Sequence, residues 1–127
     1  MKLAGDFFVE IGRQVTETGF RSTIQLNAAH IIYTAHFPGF PVTPGVIQLQ
    51  IIHELLEKHV GKKIGLIEMA QCKFLKILNP IETSSIDVEV EINEKDDLLQ
   101  IKACGKTQTD YFFKLNSIFQ VSNENLD

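Results

Sequence analysis

The stretch that decides the fold is HFPGFPVTPGVIQLQIIHELLEKHVG, residues 36–61. Residues 46–60 contain neither glycine nor proline, and a breaker-free apolar run of this length predicts a helix rather than a strand. We expect Thr43 to be the N-cap of this helix and Pro44 its first residue, because these residue types are favoured at those positions. Gly61 is expected to end the helix.

Apolar residues cover well over half of the circumference of the predicted helix. One stripe comprises Leu49, Ile52, Leu56 and Val60, and the other comprises Ile47, Ile51 and Leu55. The remaining face is polar and contains Gln50, His53, Glu54 and Glu57. A helix of this kind must be enclosed on most sides, which a flat sheet cannot do. The helix therefore predicts a sheet that curves around it.

The rest of the chain reads as strands, because alternating, β-branched and aromatic residues dominate it. The predicted strands cover residues 7–15, 21–28, 64–78, 84–93, 98–108 and 110–121, and residues 122–127 are expected to fray. The order is two strands, one helix and four strands. We predict an α+β fold in residues 1–127, a single domain with a curved antiparallel sheet of five to six strands around one long central helix.

Composition narrows the classes of partner and the location. With 44% hydrophobic residues and a net charge of only −4, the chain has the material for one core and no global basic field for nucleic acid or an anionic membrane. Asp6 and Glu10 interrupt the region where a signal peptide would be apolar, and no run of about 18 apolar residues occurs. We expect a cytoplasmic protein without a membrane segment.

The start of the helix suggests chemistry at a carbonyl group. The first backbone N–H groups of a helix have no intrahelical acceptor, and the helix dipole is positive there. Gly45, expected at the second helical position, would let a carbonyl oxygen approach these groups closely. The prolines before it would hold His36 at a defined distance, as a base for proton abstraction. A histidine in a tight Pro/Gly loop with a purely structural role is the open alternative.

A metal site is not indicated. The segment HELLEKH, residues 53–59, is not the H-E-x-x-H zinc motif, because its second histidine lies six residues after the first and on another side of the helix.

The helix start also resembles a known family. The string HFPGFPVTPGV, residues 36–46, matches the H-F-P-G-x-P-x-x-P-G-V signature of hot-dog-fold (3R)-hydroxyacyl-acyl-carrier-protein dehydratases. The matching residues are His36, Phe37, Pro38, Gly39, Pro41, Pro44, Gly45 and Val46. The resemblance implies a helix enclosed by a curved antiparallel sheet, with two protomers paired edge to edge.

The resemblance also implies a reaction. His36 would remove the α-proton of a 3-hydroxyacyl thioester and help to eliminate water, which gives the trans-2-enoyl thioester. The N–H of Gly45 would hold the thioester oxygen. Val46, Phe37, Pro38 and Gly39 would contact the substrate. The carrier would be an acyl carrier protein with a phosphopantetheine-linked chain, the assembly a homodimer or a larger oligomer of dimers, and no metal or cofactor would be needed.

One position departs from the family. The family carries a carboxylate five residues after the glycine of the helix start, which the neighbouring protomer contributes to the site. This chain has Gln50 there and places Glu54 one turn later. An amide cannot deliver a proton at ordinary pH. Glu54 is either a displaced acid or a hydrogen-bond partner of Gln50 or His53. The alternatives to a dehydratase are a weak or non-catalytic subunit paired with a paralogue, and a thioesterase in which Glu54 or Glu57 activates water.

Overall fold

A computed structural model describes residues 2–36 and 39–126 of the protein, with His36 described through its backbone only. In chain order the elements are β1 (Phe8–Val15), β2 (Gly19–Leu26), α1 (Ile31–His36), α2 (Gly45–Val60), β3 (Lys62–Phe74), β4 (Ser85–Lys95), β5 (Leu98–Lys106) and β6 (Tyr111–Asn125). The six predicted strands and the long helix are confirmed. The short helix α1 was not predicted.

The six strands form one antiparallel sheet in the order β1-β2-β4-β5-β6-β3. Both edge strands bond to α2: Arg13 of β1 donates to the carbonyl of Leu55 at 3.2 Å, and the N–H of Ile64 in β3 donates to the Glu57 carboxylate at 3.0 Å. Since these strands are opposite edges of the sheet, the sheet must curve around the helix. This is the predicted hot-dog fold.

The core lies between α2 and the concave face of the sheet. The buried apolar residues of α2 are Ile47, Ile51, Ile52, Leu55 and Leu56. Burying a side chain of this size stabilises the fold by roughly 1.5–3 kcal/mol. No helix in the described part of the chain is long and apolar enough to cross a membrane.

Glu10 fastens β1 to the far end of α2. Its carboxylate accepts hydrogen bonds from Lys58 at 2.6 Å, from Arg13 at 2.8 Å and from the hydroxyl of Ser22. Burial by itself would raise the pKa of Glu10, but the hydrogen bonds from Lys58, Ser22 and Arg13 together outweigh it. The pKa of Glu10 therefore lies below its ordinary value, and its charge contributes to the fold.

The predicted start of the helix was wrong by one residue. The N-cap is Pro44, with φ −59° and ψ 148°, and α2 begins at Gly45, which is therefore the first helical residue and not the second. The carbonyl of Pro44 accepts the N–H groups of Ile47 and Gln48, so the helical hydrogen bonds begin one residue after Thr43. Gly61 ends the helix as predicted, in a left-handed conformation with φ 78°.

The prediction of a frayed tail over residues 122–127 was also wrong, for residues 122–125. Strand β6 continues to Asn125, which is paired with Lys62 of β3. The side chains of residues 122–125 are polar and give no sign of a strand, but the backbone ladder holds these residues irrespective of side chain. Asp127 lies outside the described residues.

Candidate active site

Thr43 ties the start of α2 to two other parts of the fold. Its side chain is buried, and its Oγ1 shares a hydrogen bond of 2.8 Å with the hydroxyl of Tyr33 in α1. Its N–H donates to the carbonyl of Leu78 at 2.9 Å, and its carbonyl accepts the side-chain amide of Gln48 at 2.9 Å. Burial raises the pKa of Tyr33 to about 12, so its hydroxyl stays neutral. The predicted N-cap is instead a buried junction.

The helix α1 carries the predicted base at its end. Tyr33 is fully buried and stacks on Phe7, with ring centroids 5.1 Å apart, which fixes α1 against the core. His36 is the last residue of α1. Its side chain, together with Phe37 and Pro38, lies outside the described residues. The placement of His36 against the helix start therefore stays a prediction.

Three predicted substrate contacts are described. Gly45 is the first residue of α2, so its N–H has no intrahelical acceptor. Gly39 adopts a left-handed φ of 80°, and a Cβ built there would meet nothing within 4 Å, which makes conformation the reason for glycine at this position. Val46 points outward from the helix start and is 67% exposed.

An apolar cavity of about 190 Å³ lies between the first half of α2 and the strands β3 and β6. Its walls are Val46, Leu49, Gln50, Ile52, His53, Leu66, Met69, Leu115 and Phe119. Gln50 and His53 are the polar residues of this lining. The cavity thus combines an apolar wall with few polar groups, which is the usual make-up of a site for an apolar ligand.

Gln50 and Glu54 are in direct contact. The side-chain amide of Gln50 donates to Oε2 of Glu54 at 3.0 Å. The same carboxylate accepts the backbone N–H of Leu3 at 2.7 Å and that of Ala4 at 2.8 Å. Both oxygens of Glu54 are therefore engaged, and they anchor the N-terminal segment to the polar face of α2. Of the two roles considered for Glu54, these contacts favour the hydrogen-bonding one.

The rest of the polar face is also engaged. His53 lies 3.3 Å from the carboxylate of Glu57, whose Oε2 also accepts the N–H of Ile64. A cleft of about 950 Å³ lies over this face, between β1 and the start of β3. Over the part of the chain that the structure describes, no group of three or more His, Cys, Asp or Glu side chains is placed to hold a metal ion.

The sequence did not predict three features of the site: the buried Tyr33, the role of Thr43 in joining the helix start to α1, and the position of Phe74 at the helix start. A Cβ built at Gly45 would come within 2.6 Å of Cζ of Phe74, so the ring of Phe74 covers the space beside Gly45. Thr43 followed by Pro44 indicates a helix start, but it does not indicate that the Thr43 hydroxyl bonds to the buried hydroxyl of Tyr33. Phe74 lies in a predicted strand, whose pattern does not show what its last side chain contacts.

Comparison with known proteins identifies the family. The model of the ApeI-like family, described as ApeI dehydratase, matches residues 12–112, which include α1, the helix start and all of α2. The chain belongs to the ApeI-like dehydratase family. This match confirms the predicted resemblance to the hot-dog (3R)-hydroxyacyl-acyl-carrier-protein dehydratases as a family relationship.

Two relatives of this ApeI-like chain are 3-hydroxyacyl-[acyl-carrier-protein] dehydratases FabZ. The protein from Rickettsia bellii is 29% identical over 94 residues, 68% of this chain and 63% of the relative. The protein from Clostridium acetobutylicum is 29% identical over 66 residues, 46% of this chain and 47% of the relative. The chain thus matches less than two thirds of the length of either relative.

Solved structures share the fold of the ApeI-like chain. The dehydratase heterocomplex ApeI:P from Xenorhabdus doucetiae matches with a TM-score of 0.71 at 18% identity, over 88% of this chain and 96% of that one. The (R)-hydratase from A. caviae involved in PHA biosynthesis matches with a TM-score of 0.61 at 13% identity, over 86% and 97%. A hypothetical thioesterase with coenzyme A from Streptococcus pneumoniae matches with a TM-score of 0.64 at 7% identity, over 94% and 88%. At these identities the likeness concerns the fold alone.

Proposed function

We propose that this chain is a hydro-lyase that removes water from a (3R)-3-hydroxyacyl thioester and forms the trans-2-enoyl thioester, in fatty acid or related lipid or polyketide synthesis. The observation that carries the proposal is the apolar cavity lined by Val46, the residue that follows Gly45 at the start of α2. An acyl chain in this cavity brings its thioester carbonyl to the helix start, where backbone N–H groups stabilise developing negative charge. Membership of the ApeI-like dehydratase family supports the proposal.

In the proposed reaction, His36 removes a proton from C2 while the Gly45 N–H hydrogen-bonds the thioester oxygen. The C2–C3 double bond forms as the C3–O bond breaks, and the hydroxyl leaves as water after taking the proton from His36. Gln50 hydrogen-bonds the hydroxyl without transferring a proton. His36 therefore acts first as base and then as acid. The proposed substrate contacts are Gly45, Val46, Phe37, Pro38 and Gly39.

Glu54 is proposed to act through Gln50. Its carboxylate, already held by the backbone N–H groups of Leu3 and Ala4, accepts the amide of Gln50 and so fixes the orientation of that amide. A fixed amide positions the substrate hydroxyl at low entropic cost. In this proposal Glu54 is a positioning residue, and neither of its oxygens needs to reach the substrate.

The proposed carrier is an acyl carrier protein, the one that the names of the FabZ relatives contain. The proposed assembly is a homodimer or a larger oligomer of dimers. A heterodimer with a paralogue is the second candidate, because Gln50 stands where a carboxylate is expected and a fold neighbour is a dehydratase heterocomplex. The cytoplasmic location and the single-domain organisation of residues 1–127 stay predictions.

Thioester hydrolysis is the third candidate, since a fold neighbour is a hypothetical thioesterase. It requires a group that activates water. Of the two carboxylates considered for this task, Glu54 accepts backbone N–H groups at both oxygens and Glu57 accepts one at Oε2, so these three oxygens are committed to the fold. These contacts support elimination over hydrolysis.

The test is to incubate the purified protein with a 3-hydroxyacyl-acyl-carrier-protein thioester and to follow enoyl product and free thiol together. We expect enoyl product from the wild type and from His59→Ala, a control histidine at the far end of α2, and none from His36→Ala. Free thiol without enoyl product would identify a thioesterase. Turnover only after addition of a carboxylate-bearing paralogue would identify a heteromeric subunit.

A further inference from the structure

The ring of Phe74 lies against the first residue of α2. A Cβ built at Gly45 would lie 2.6 Å from Cζ and 2.8 Å from Cε2 of Phe74, closer than side-chain atoms approach one another. Only glycine at position 45 leaves room for the ring in this place. The space that the sequence assigned to a substrate carbonyl is thus occupied by a side chain of the protein itself.

The backbone that carries this ring is fixed. Phe74 is the last residue of β3 and is paired with Phe113, whose side chain is buried. Immediately after the strand, the N–H of Leu75 donates to the carbonyl of Phe112 at 2.9 Å. Further along, the carbonyl of Leu78 accepts the N–H of Thr43, which joins this segment to the loop before α2.

The ring itself is not fixed in the same way. Half of the Phe74 side chain is exposed, so rotation about its own bonds moves the ring into solvent without disturbing the strand. Its tip is the part that lies closest to Gly45, and that part moves furthest in such a rotation. Rotation of the exposed side chain would therefore take the ring away from the helix start.

We propose that Phe74 controls access to the helix start: its ring fills the space beside Gly45 in the free protein and turns into solvent when a thioester binds. The inference rests on the proposed function and deepens it, because it assigns a gating residue to the same site. In the closed state the ring fills the space beside Gly45, and a thioester must displace it to approach the Gly45 N–H. The apparent affinity for substrate is then reduced by the fraction of molecules in which the ring is closed.

Fluorescence can follow the ring directly, because the chain contains no tryptophan. Phe74→Trp places a single indole at the gate, and Tyr111→Trp, at a residue with 44% exposure at the start of β6, is the matched control. The probe is decanoyl-pantetheine, a saturated thioester that cannot lose water, with binding measured separately by calorimetry. We expect its binding to shift the emission of Phe74→Trp to longer wavelength and to leave that of Tyr111→Trp unchanged.

A second variant tests the open state without a ligand. The methyl group in Gly45→Ala occupies the ring's closed position, so Phe74→Trp combined with Gly45→Ala should already show the shifted emission and should not shift further. In turnover, Phe74→Ala should lower KM with kcat unchanged, by about tenfold if the closed state is ten times more populated than the open one. A ring with a merely structural role would change stability rather than KM.

The outcomes separate the two proposals. Two results would overturn the gate and leave the dehydratase proposal standing. One is binding of decanoyl-pantetheine without a change in the emission of Phe74→Trp. The other is an emission of Phe74→Trp combined with Gly45→Ala that equals that of Phe74→Trp alone. Absence of binding, together with absence of enoyl product from the wild type, would overturn the proposed function and the gate with it.

Discussion

The contact between Gln50 and Glu54 predicts that these two positions cannot be changed independently. The amide of Gln50 lies 3.0 Å from the Glu54 carboxylate. Gln50→Glu, the change that restores the expected family carboxylate, replaces this hydrogen bond by two neighbouring carboxylates. At about 4 Å and an effective dielectric constant of about 20, two like charges repel by about 4 kcal/mol. Partial exposure and proton uptake reduce this, and we expect a loss of about 1–3 kcal/mol in the free energy of unfolding.

The reverse change has a different cost. In Glu54→Gln, the amide oxygen still accepts one of the N–H groups of Leu3 and Ala4, but its NH₂ group faces the other. One hydrogen bond to a charged acceptor is lost, which costs about 1.5–3 kcal/mol. Glu57→Gln is the matched control, since Glu57 accepts a single backbone N–H that an amide oxygen retains. We expect that control to lose less stability.

The double variant Gln50→Glu/Glu54→Gln removes the repulsion between carboxylates, because the amide now at position 54 donates to the carboxylate now at position 50. Its free energy of unfolding should therefore resemble that of Glu54→Gln alone, which gives a coupling of about 1–3 kcal/mol between the sites. Urea unfolding followed by circular dichroism measures this coupling. If the missing acid limits turnover, the double variant should also produce enoyl thioester faster than the wild type. Additive losses would refute the contact, and unchanged turnover would refute a limiting acid.

Three further predictions follow from the fold and the cavity. Glu10→Gln should be less stable than the wild type at neutral pH. Because the pKa of Glu10 is lowered in the fold, its contribution to the free energy of unfolding is present above the ordinary pKa of a glutamate and is lost as pH falls. Urea unfolding should therefore show a smaller difference in stability between the two proteins at pH 3 than at pH 7. Thr43→Val leaves the buried Tyr33 hydroxyl without its partner and should cost about 1–3 kcal/mol, whereas adding Tyr33→Phe should recover part of this loss in the same unfolding assay. Leu49→Phe should fill part of the apolar cavity and so lower kcat/KM for long acyl chains but not for short ones. The measurement is kcat/KM over a series of acyl chain lengths. An equal loss at every length would contradict an acyl chain in that cavity.

The sheet and the central helix were predictable because their signals are local. Alternation along β4 places Ile86, Val88 and Val90 in the core and Asp87 and Glu89 on the other face, as a strand with one wet face requires. The length of the apolar run separated the helix from the strands. The curvature of the sheet followed from the amount of apolar surface on that helix, since that surface must be covered.

The features that sequence reasoning missed depend on contacts between distant parts of the chain. The helix α1 has six residues, too few to show a helical period, and it is held through Tyr33. Thr43 had the residue type of a cap, but its partners are Tyr33 and Leu78. Likewise, the spacing of Gln50 and Glu54 predicted that they could meet, but nothing in the sequence predicted that Leu3 and Ala4 would share the same carboxylate.

With Glu54 engaged by backbone N–H groups, the proposed elimination assigns both proton transfers to His36, and this constrains its geometry. If His36 both removes the C2 proton and returns a proton to the leaving hydroxyl, the proton and the hydroxyl must leave from the same face of the acyl chain. The prediction is syn elimination, which substrates deuterated stereospecifically at C2 reveal by mass spectrometry of the enoyl product. Loss of the hydrogen from the opposite face would require a second acid across the site. Since Gln50 cannot supply that proton, such a result would contradict the single-group mechanism and direct attention to a carboxylate from a partner subunit.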